Sequence, residues 1–192
     1  GYRYRRVQQL LDSLGSIDYL KAAAVLRDIR GVDGEDVGYC NDLSINQMLA
    51  MHSVIFKPAE KKIWVSTSPW QFGKFVCFDL DEVFCDAGFS DDELSIPADK
   101  FLETEAFRNV LKFKAMQLTL ATASKSRREV PADSLALFVS LNPSYYGTYV
   151  SVASYLESLG KNAEADEYYR RALTCPMKLS ERQHLETRLR GR

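Results

Sequence analysis

The chain has 192 residues, with 25 Lys and Arg against 26 Asp and Glu, a formal net charge of -1 and 46% hydrophobic residues. This composition is typical of a globular protein and excludes a disordered chain, a collagen and a coiled-coil rod. The balanced charge gives no overall attraction to nucleic acid or to an anionic membrane. No run approaches the roughly 18 consecutive apolar residues of a membrane span. We therefore expect a soluble protein with no membrane span and no nucleic-acid partner.

The cysteines Cys40, Cys77, Cys85 and Cys175 show no CxxC spacing, and the two histidines are far apart in the sequence. This pattern predicts buried thiols rather than a zinc site or a disulfide framework, and we predict no metal and no cofactor. It leaves the compartment undecided between cytoplasmic and exported. The chain begins with Gly1 and enters a helical pattern at once, so we expect it to be part of a longer protein.

Two short helices are predicted at the start of the chain. The first covers residues 2–14, carries apolar side chains at helical spacing and stops at Gly15. The second follows Ser16, covers residues 17–30 and ends at the glycine Gly31. We expect the two helices to form an antiparallel hairpin.

A group of strands is predicted next. Residues 47–56 are apolar at both alternate sets of positions, which predicts a strand covered on both faces. A turn at 58–61 and the alternating run 62–68 complete a β-hairpin, and a third strand is predicted over 72–79. The acidic stretch 86–97 is predicted to be a loop that ends the strand-rich part.

The remainder of the chain is predicted to be helical. A long helical pattern begins at Asp99, and the last 50 or so residues have the pattern helix, turn at Gly160, helix. Small residues and the aromatic residues Tyr149 and Tyr169 recur there at the spacing of one tetratricopeptide unit. A single helical hairpin cannot bury both its faces, so it must pack on the rest of the chain or on a neighbour.

Few residues suggest chemistry by their position. Cys40 and His52 offer a thiol and a base, but strand geometry separates His52 from Ser53, and spacing indicates no third group. A buried histidine bonded to a carbonyl is the preferred interpretation. The carboxylates Asp79 and Asp81, with the adjacent Glu82, match no known cation-binding loop and are interpreted as solvated surface.

Polar residues near the predicted strand and the first helix are weaker candidates. Arg3 lies one turn before the first apolar helix face and could project toward an anionic group, although arginines near a chain end are usually solvated. Asn41, Asn46 and Gln47 are either polar contacts at the mouth of the strand or ordinary turn residues.

The run CNDLSINQMLAMHSVIFKPAEKKIWVSTSPWQFGKFVCFDLDEVF resembles the C-terminal sheet region of a known family of hydrolases. These are the N-terminal-nucleophile proteins similar to acyl-CoA:6-aminopenicillanic acid acyltransferase and related to choloylglycine hydrolase. The preceding RYRRVQQLL resembles a helix of that family whose arginine helps to line the active site. The resemblance covers about residues 2–84.

This resemblance implies an α+β fold, the C-terminal portion of a four-layer αββα sandwich, followed by an α-helical hairpin. It implies cleavage or transfer of an acyl group at an amide bond, with an N-terminal cysteine as nucleophile and its free α-amine as base. No cysteine precedes the arginine helix, so we expect no catalytic residue in this chain, with the nucleophile upstream. Arg3 matches a substrate-binding position of the family.

We therefore expect three segments: 1–98 from the sandwich, 99–141 as long helices packing on it, and 142–192 as the tetratricopeptide-like hairpin. The expected partners are the upstream half of the same protein, a small acyl amide substrate and a second copy of the chain. The leading hypothesis is an amide-bond hydrolase or acyltransferase segment that is inactive alone. The alternatives are a non-catalytic interaction module sensitive to changes at Tyr149 or Tyr169, and an independent thiol enzyme built on Cys40 and His52.

Overall fold

The computed structural model of the chain describes residues 1–85 and 91–191. These residues form two compact units. The first, which we call the sheet unit, contains Gly1–Glu35 and Ser44–Thr104. The second, the helical unit, contains Asp36–Leu43 and the chain from Glu105 onward. The protein is thus an α+β protein in which the chain passes between the units more than once.

The sheet unit begins with the two predicted helices. Helix α1 spans Tyr2–Leu14 and ends at Gly15 with a φ of 65°, which confirms the first prediction. Helix α2 spans only Tyr19–Leu26, because Asp18 caps its N-terminus by accepting a 2.8 Å hydrogen bond from the Lys21 N–H. The prediction of a helix over 17–30 is therefore too long at both ends.

The predicted β-hairpin is confirmed within a four-stranded antiparallel sheet. Its strands are β1 (Val54–Lys57), β2 (Lys62–Ser66), β3 (Phe75–Asp79) and β4 (Asp91–Ile96), adjacent in chain order, and the short helix α3 (Leu80–Val83) follows β3. Strand β1 begins later than predicted: residues 47–53 form no strand, and the buried Met48 has a φ of 52°, which an extended strand excludes at that position.

Strand β4 corrects the prediction that residues 86–97 form an acidic loop; residues 86–90 of that stretch lie outside the described part of the chain. β4 is an edge strand, so its acidic side chains can face solvent. Asp92 forms a 2.8 Å ion pair with Lys74, while Ile96 is buried. Strands were predicted from the alternation of apolar and polar residues. A charged edge strand lacks that alternation, so this segment was predicted to be a loop.

One face of the sheet is covered by α2. Trp64 of β2 is 1% exposed, stacks on Tyr19 at 4.7 Å between ring centroids and donates its indole N–H to the Leu94 carbonyl. Phe75 and Cys77 are buried in the same cluster. This face and α2 form the core of the sheet unit.

Arg27 fixes the loop between β2 and β3 to the end of α2. Its guanidinium donates hydrogen bonds of 2.8–3.0 Å to the carbonyl oxygens of Gln71, Gly73 and Pro97. Burial lowers the pKa of Arg27, and the nearby Asp99 carboxylate opposes that shift. Arg27 is therefore a structural residue that satisfies three backbone acceptors.

The helical unit contains α4 (Glu105–Ser126), α5 (Ala132–Leu141), α6 (Tyr146–Ser158), α7 (Asn162–Ala172) and α8 (Leu179–Arg190). The predicted hairpin of the last 50 residues is confirmed as α6 and α7, with Gly160 in the turn at a φ of 77°. Helix α4 packs on both α5 and α6, so a second helical hairpin precedes the predicted one. Among the described helices, none has the length and apolar character to cross a membrane.

All five helices contribute to one buried cluster. Phe113 of α4 stacks on Phe138 of α5 with 4.7 Å between ring centroids. The segments 99–141 and 142–192, which the sequence predicts to be separate, thus share a core from Glu105 onward. The cluster includes Leu120, Val152, Leu156, Tyr169 and Leu185.

Candidate functional site

The three arginines of α1 have different environments. Arg3, the predicted substrate-binding residue, is exposed and forms no hydrogen bond or ion pair with the residues that the structure describes. Arg5 lies over the Tyr2 ring at 5.6 Å, and Arg6 pairs with Asp28 at 2.9 Å. The hydrogen bonds that the Arg6 guanidinium donates to the Asp28 carboxylate raise the pKa of Arg6. Arg3 is therefore the cation of this group that remains available to an anionic ligand.

Three of the four cysteines lack the environment of a nucleophile. Cys40 is half-buried, and Cys77 and Cys175 are buried. Burial raises the pKa of all three thiols, which disfavours the reactive thiolate, although Lys114 partly offsets the shift at Cys40. The fourth, Cys85, is exposed and lies two residues after the end of α3. The structure gives none of the first three thiols an activated state.

His52 does not have the predicted buried position. Its side chain is exposed and lies before β1 begins at Val54. The prediction of a core histidine bonded to a carbonyl is wrong, because the chain adopts an irregular path before the strand. His52 also belongs to the sheet unit and Cys40 to the helical unit.

The carboxylates after β3 are paired with lysines. Asp79 accepts a 2.7 Å hydrogen bond from Lys62, and Asp81 accepts one of 2.8 Å from Lys61. The contact with Lys62 lowers the pKa of Asp79. Within residues 1–85 and 91–191, no group of three or more His, Cys, Asp or Glu is placed to hold a metal ion.

The predicted polar contacts are mostly used inside the fold. Asn41 is buried in the helical unit, where its Nδ2 donates to the Val37 carbonyl at 2.6 Å. Asn46 is buried in the sheet unit, and its Oδ1 accepts the Met48 N–H at 2.9 Å. Gln47 is partly buried. The chain therefore distributes these three residues over two units rather than into one site.

Two buried amides of the sheet unit have unused hydrogen-bonding capacity. Asn46 Nδ2 and Gln71 Oε1 lie in side chains that are 0% and 6% exposed, and neither atom has a partner among the described residues. Burying an amide atom without a partner costs about 1–3 kcal/mol. Both atoms are shielded from solvent, so neither forms an accessible binding site.

The most extensive candidate surface is the sheet face opposite α2, which sequence reasoning did not identify as a site. The strand register places two rows of three apolar side chains on this face, and we call these six residues the apolar face. One row is Val54, Val65 and Val76, and the other is Phe56, Ile63 and Phe78.

The apolar face differs from the covered face in burial. Phe56 is 66% exposed, and the other five side chains are partly buried. None of the six belongs to a buried cluster of the described residues. A contiguous apolar patch that is only partly buried is a candidate surface for another structure to cover. In the sequence, Ile63 and Val65 alternate with polar and aromatic neighbours. This alternation predicts the strand, but it does not show which face of the sheet is covered.

The helical unit has a groove between α4 and α6. Its volume is about 500 Å³, and its walls include Leu120 and Lys125 of α4 and Val150 and Ser154 of α6. Tyr149 and Tyr169 lie in the core instead, with exposures of 7% and 2%. A ligand in this groove would contact aliphatic, aromatic, hydroxyl and amide groups and one lysine.

The two grounds for assigning function are therefore the apolar face with Arg3, in the sheet unit, and the groove of the helical unit. No family model, curated protein or solved structure matches this chain.

Proposed function

We propose that this chain is the C-terminal segment of an amide-bond hydrolase or acyltransferase of the N-terminal-nucleophile class. In this proposal the apolar face packs against the second sheet of an αββα sandwich, and that sheet belongs to the upstream half of the protein. The proposal extends the sequence resemblance over residues 2–84, and the apolar face is the observation that carries it.

The arrangement of layers supports the proposal. A sheet covered by a helix on one face and apolar on the other has the composition of one half of a sandwich. Burial of a fully exposed Val, Ile or Phe side chain contributes about 1.5–3 kcal/mol. Phe56 can contribute most of that amount, and the five partly buried side chains contribute smaller shares to the driving force for a covering layer. Strand β1 also has an unpaired edge among the described strands. A second copy of the chain is the alternative occupant when the upstream half is absent.

The chemistry divides between the two halves. The upstream half supplies the cysteine nucleophile, its α-amine base and the donors that stabilise the oxyanion. This chain supplies Arg3, whose guanidinium can bind an anionic part of the substrate or orient a carbonyl. The raised pKa values of the thiols of Cys40, Cys77 and Cys175 agree with a chain that does not provide the nucleophile.

The test compares the 192-residue chain with the protein expressed from its complete reading frame. We expect no hydrolysis of acyl amides by the chain alone and cysteine-dependent turnover by the complete protein. In the complete protein, Arg3→Ala should lower turnover about 10-fold or more, the value of one charge-assisted hydrogen bond. Arg5→Ala is the matched control and should retain activity. Cysteine-dependent turnover by the 192-residue chain would contradict the proposal.

A second candidate function is a non-catalytic interaction module. The groove between α4 and α6 favours it, because stacked helical hairpins bind peptides and helices in such grooves. Tyr149 and Tyr169 are unsuitable probes since both are buried. Val150→Glu is the suitable variant. If this function is correct, it should abolish partner binding while leaving the circular dichroism spectrum of the chain unchanged.

A further inference from the structure

Strand β1 forms one edge of the described sheet, and its register shows which main-chain groups point away from β2. The Ser66 N–H donates to the Ser53 carbonyl oxygen at 2.9 Å, so these two residues form a hydrogen-bonded pair at the start of the β1–β2 ladder. Hydrogen-bonded and non-hydrogen-bonded pairs alternate along an antiparallel ladder. Ile55 therefore directs its N–H and C=O groups to β2, whereas Val54 and Phe56 direct theirs to the open edge.

The two edges of this sheet differ in composition and regularity. At the opposite edge, β4 carries Asp91, Asp92 and Glu93 in succession, and its register with β3 is irregular. Charge and irregular pairing are devices that keep an edge strand from pairing with another chain. Strand β1 pairs regularly with β2, and residues 54–56 are all apolar. Its charged residue, Lys57, ends the strand and forms a 2.5 Å ion pair with a glutamate. The β1 edge is therefore open to pairing with another strand.

A second copy of β1 fits this edge in one antiparallel register. Along β1, Val54 and Phe56 direct their main-chain groups outward, so a symmetric pair must join Val54 of each copy to Phe56 of the other. Both of these become hydrogen-bonded pairs, and each Ile55 lies directly opposite its counterpart. The register also places Lys57 opposite Ser53, so no like charges meet across the pair.

The side chains of β1 are complementary in the same register. Cross-strand partners lie on the same face of a sheet, so Phe56, which is 66% exposed, would pack against Val54 of the second copy. Aromatic and β-branched side chains are favourable cross-strand partners. On the other face, Ile55 adjoins a cavity of about 110 Å³ whose walls include Tyr19 and Ala22 of α2. The Ile55 side chain of the second copy would lie on this face, beside the cavity.

We propose that the β1 edge is a dimerisation surface, on which β1 of a second copy pairs antiparallel with Val54 opposite Phe56. The pair joins two four-stranded sheets into one continuous sheet. It leaves the apolar face of each copy open to a covering layer, because edge pairing takes place in the plane of the sheet. This inference rests on the edge of β1 and does not depend on the amide-hydrolase proposal.

Amide hydrogen exchange at two protein concentrations tests the edge in the wild-type chain. The Val54 and Phe56 N–H groups should exchange about tenfold or more slowly when the protein concentration is raised about a hundredfold, because dimer formation gives them acceptors. The Ile55 N–H, already bonded to β2, is the internal control and should change much less. Exchange rates of Val54 and Phe56 that do not depend on concentration would contradict the proposal.

Disulfide trapping tests the register. Cys85→Ser first removes an exposed native thiol. In that background, Ile55→Cys places two thiols in a non-hydrogen-bonded pair, with Cα atoms about 4.5 Å apart and within the range of a disulfide. Phe56→Cys is the matched control, since its two copies are diagonal neighbours about 7–8 Å apart, beyond that range.

With oxidised glutathione at the higher protein concentration, the Ile55→Cys chain should become a disulfide-linked dimer on a non-reducing gel. The Phe56→Cys chain should remain largely monomeric. A dimer that forms from Phe56→Cys as readily as from Ile55→Cys would show pairing in another register or through the apolar face, and the proposal would be wrong. A folded Ile55→Cys chain that forms no dimer would also overturn it. If Ile55→Cys fails to fold, the exchange measurement still decides, because it uses the wild-type chain.

Discussion

Arg6 and Asp28 form a paired ion bridge that joins α1 to the segment after α2. Two parallel hydrogen bonds of 2.9 Å connect the guanidinium to the carboxylate, and each side chain is 13% exposed. Paired contacts of this geometry are among the stronger polar interactions in proteins. The bridge assigns Arg6 a structural role and distinguishes it from the exposed Arg3.

The first prediction uses this difference. Arg6→Ala leaves the Asp28 carboxylate without its partner and should lower the free energy of unfolding by about 2–4 kcal/mol. Arg3→Ala, at an exposed position, should change it by less than about 0.5 kcal/mol. Urea denaturation of the 192-residue chain measures both values. Similar losses in the two variants would contradict the assignment of Arg3 as a free functional cation.

The second prediction concerns the attachment of α8. Arg188 donates to both carboxylate oxygens of Glu157, and Tyr169 donates to the same carboxylate at 2.9 Å. Arg188→Ala should lower the free energy of unfolding by about 1–3 kcal/mol, because Glu157 loses its counter-ion in a partly buried position. Arg190→Ala, whose ion pair is 3.8 Å and whose side chain is 83% exposed, should have almost no effect.

Amide hydrogen exchange along α8 separates these outcomes. In Arg188→Ala, the amides of α8 should exchange faster than those of α6, whereas in Arg190→Ala the pattern should match the wild type. Equal exchange in the two variants would show that Glu157 does not anchor α8.

The third prediction is a loss of stability at alkaline pH. Burial raises the pKa of Tyr145 to about 12, and the negative charges of Asp42 and Glu181 add to the shift. The pKa of Tyr146 is raised for the same main reason. Above pH 10 the unfolded state releases these protons before the native state does. Stability should therefore be fully present below pH 10 and fall progressively as the pH rises to about 12.

The measurement is the free energy of unfolding as a function of pH between about 9 and 12. Tyr145→Phe removes one of the ionising groups and should make the alkaline decline shallower. A decline of identical slope in the wild type and Tyr145→Phe would exclude Tyr145 as its cause.

The fourth prediction tests which sheet face is uncovered. Val65 lies at the centre of the apolar face, and Cys77, which is 0% exposed, lies on the covered face. In the 192-residue chain, Val65→Lys should cost less than about 1 kcal/mol, whereas Cys77→Lys should cost more than about 3 kcal/mol because it buries a charge. Light scattering should also show less self-association for Val65→Lys than for the wild type.

If the proposed function is correct, the same Val65→Lys change should prevent the apolar face from packing against the second sheet in the complete protein. A severe loss of stability from Val65→Lys in the 192-residue chain would mean that the apolar face is already covered. The prediction would then be wrong, and the proposed sandwich would lose its main support.

The sequence predicted correctly those helix ends and turns that depend only on residues close together in the chain. Gly15 and Gly160 end or separate helices through their positive φ values, and the β1–β2 hairpin follows from its alternation. Tertiary contacts decided the rest. Asp91–Ile96 is a strand because it pairs with β3, although its composition is that of a loop, and the start of β1 depends on the unusual φ of Met48.

The candidate sites were less predictable than the fold. Arg3 could be selected as an exposed cation near a helix start, but the sequence does not show that Arg6 is the arginine paired with Asp28. The two hydrogen bonds between the Asn142 side chain and the main chain of Tyr39 could not be predicted from the sequence, because these residues are 103 positions apart. Long-range pairing of this kind has no local period or spacing that a single sequence can reveal.

The most direct test of the central claim is the intact mass and N-terminal sequence of the protein expressed from its complete natural reading frame. The proposed function predicts an upstream piece, continuous or co-purifying, that begins with a newly exposed cysteine after self-cleavage. A mature product that begins at or near Gly1 would contradict it, because such a protein would have no N-terminal cysteine nucleophile.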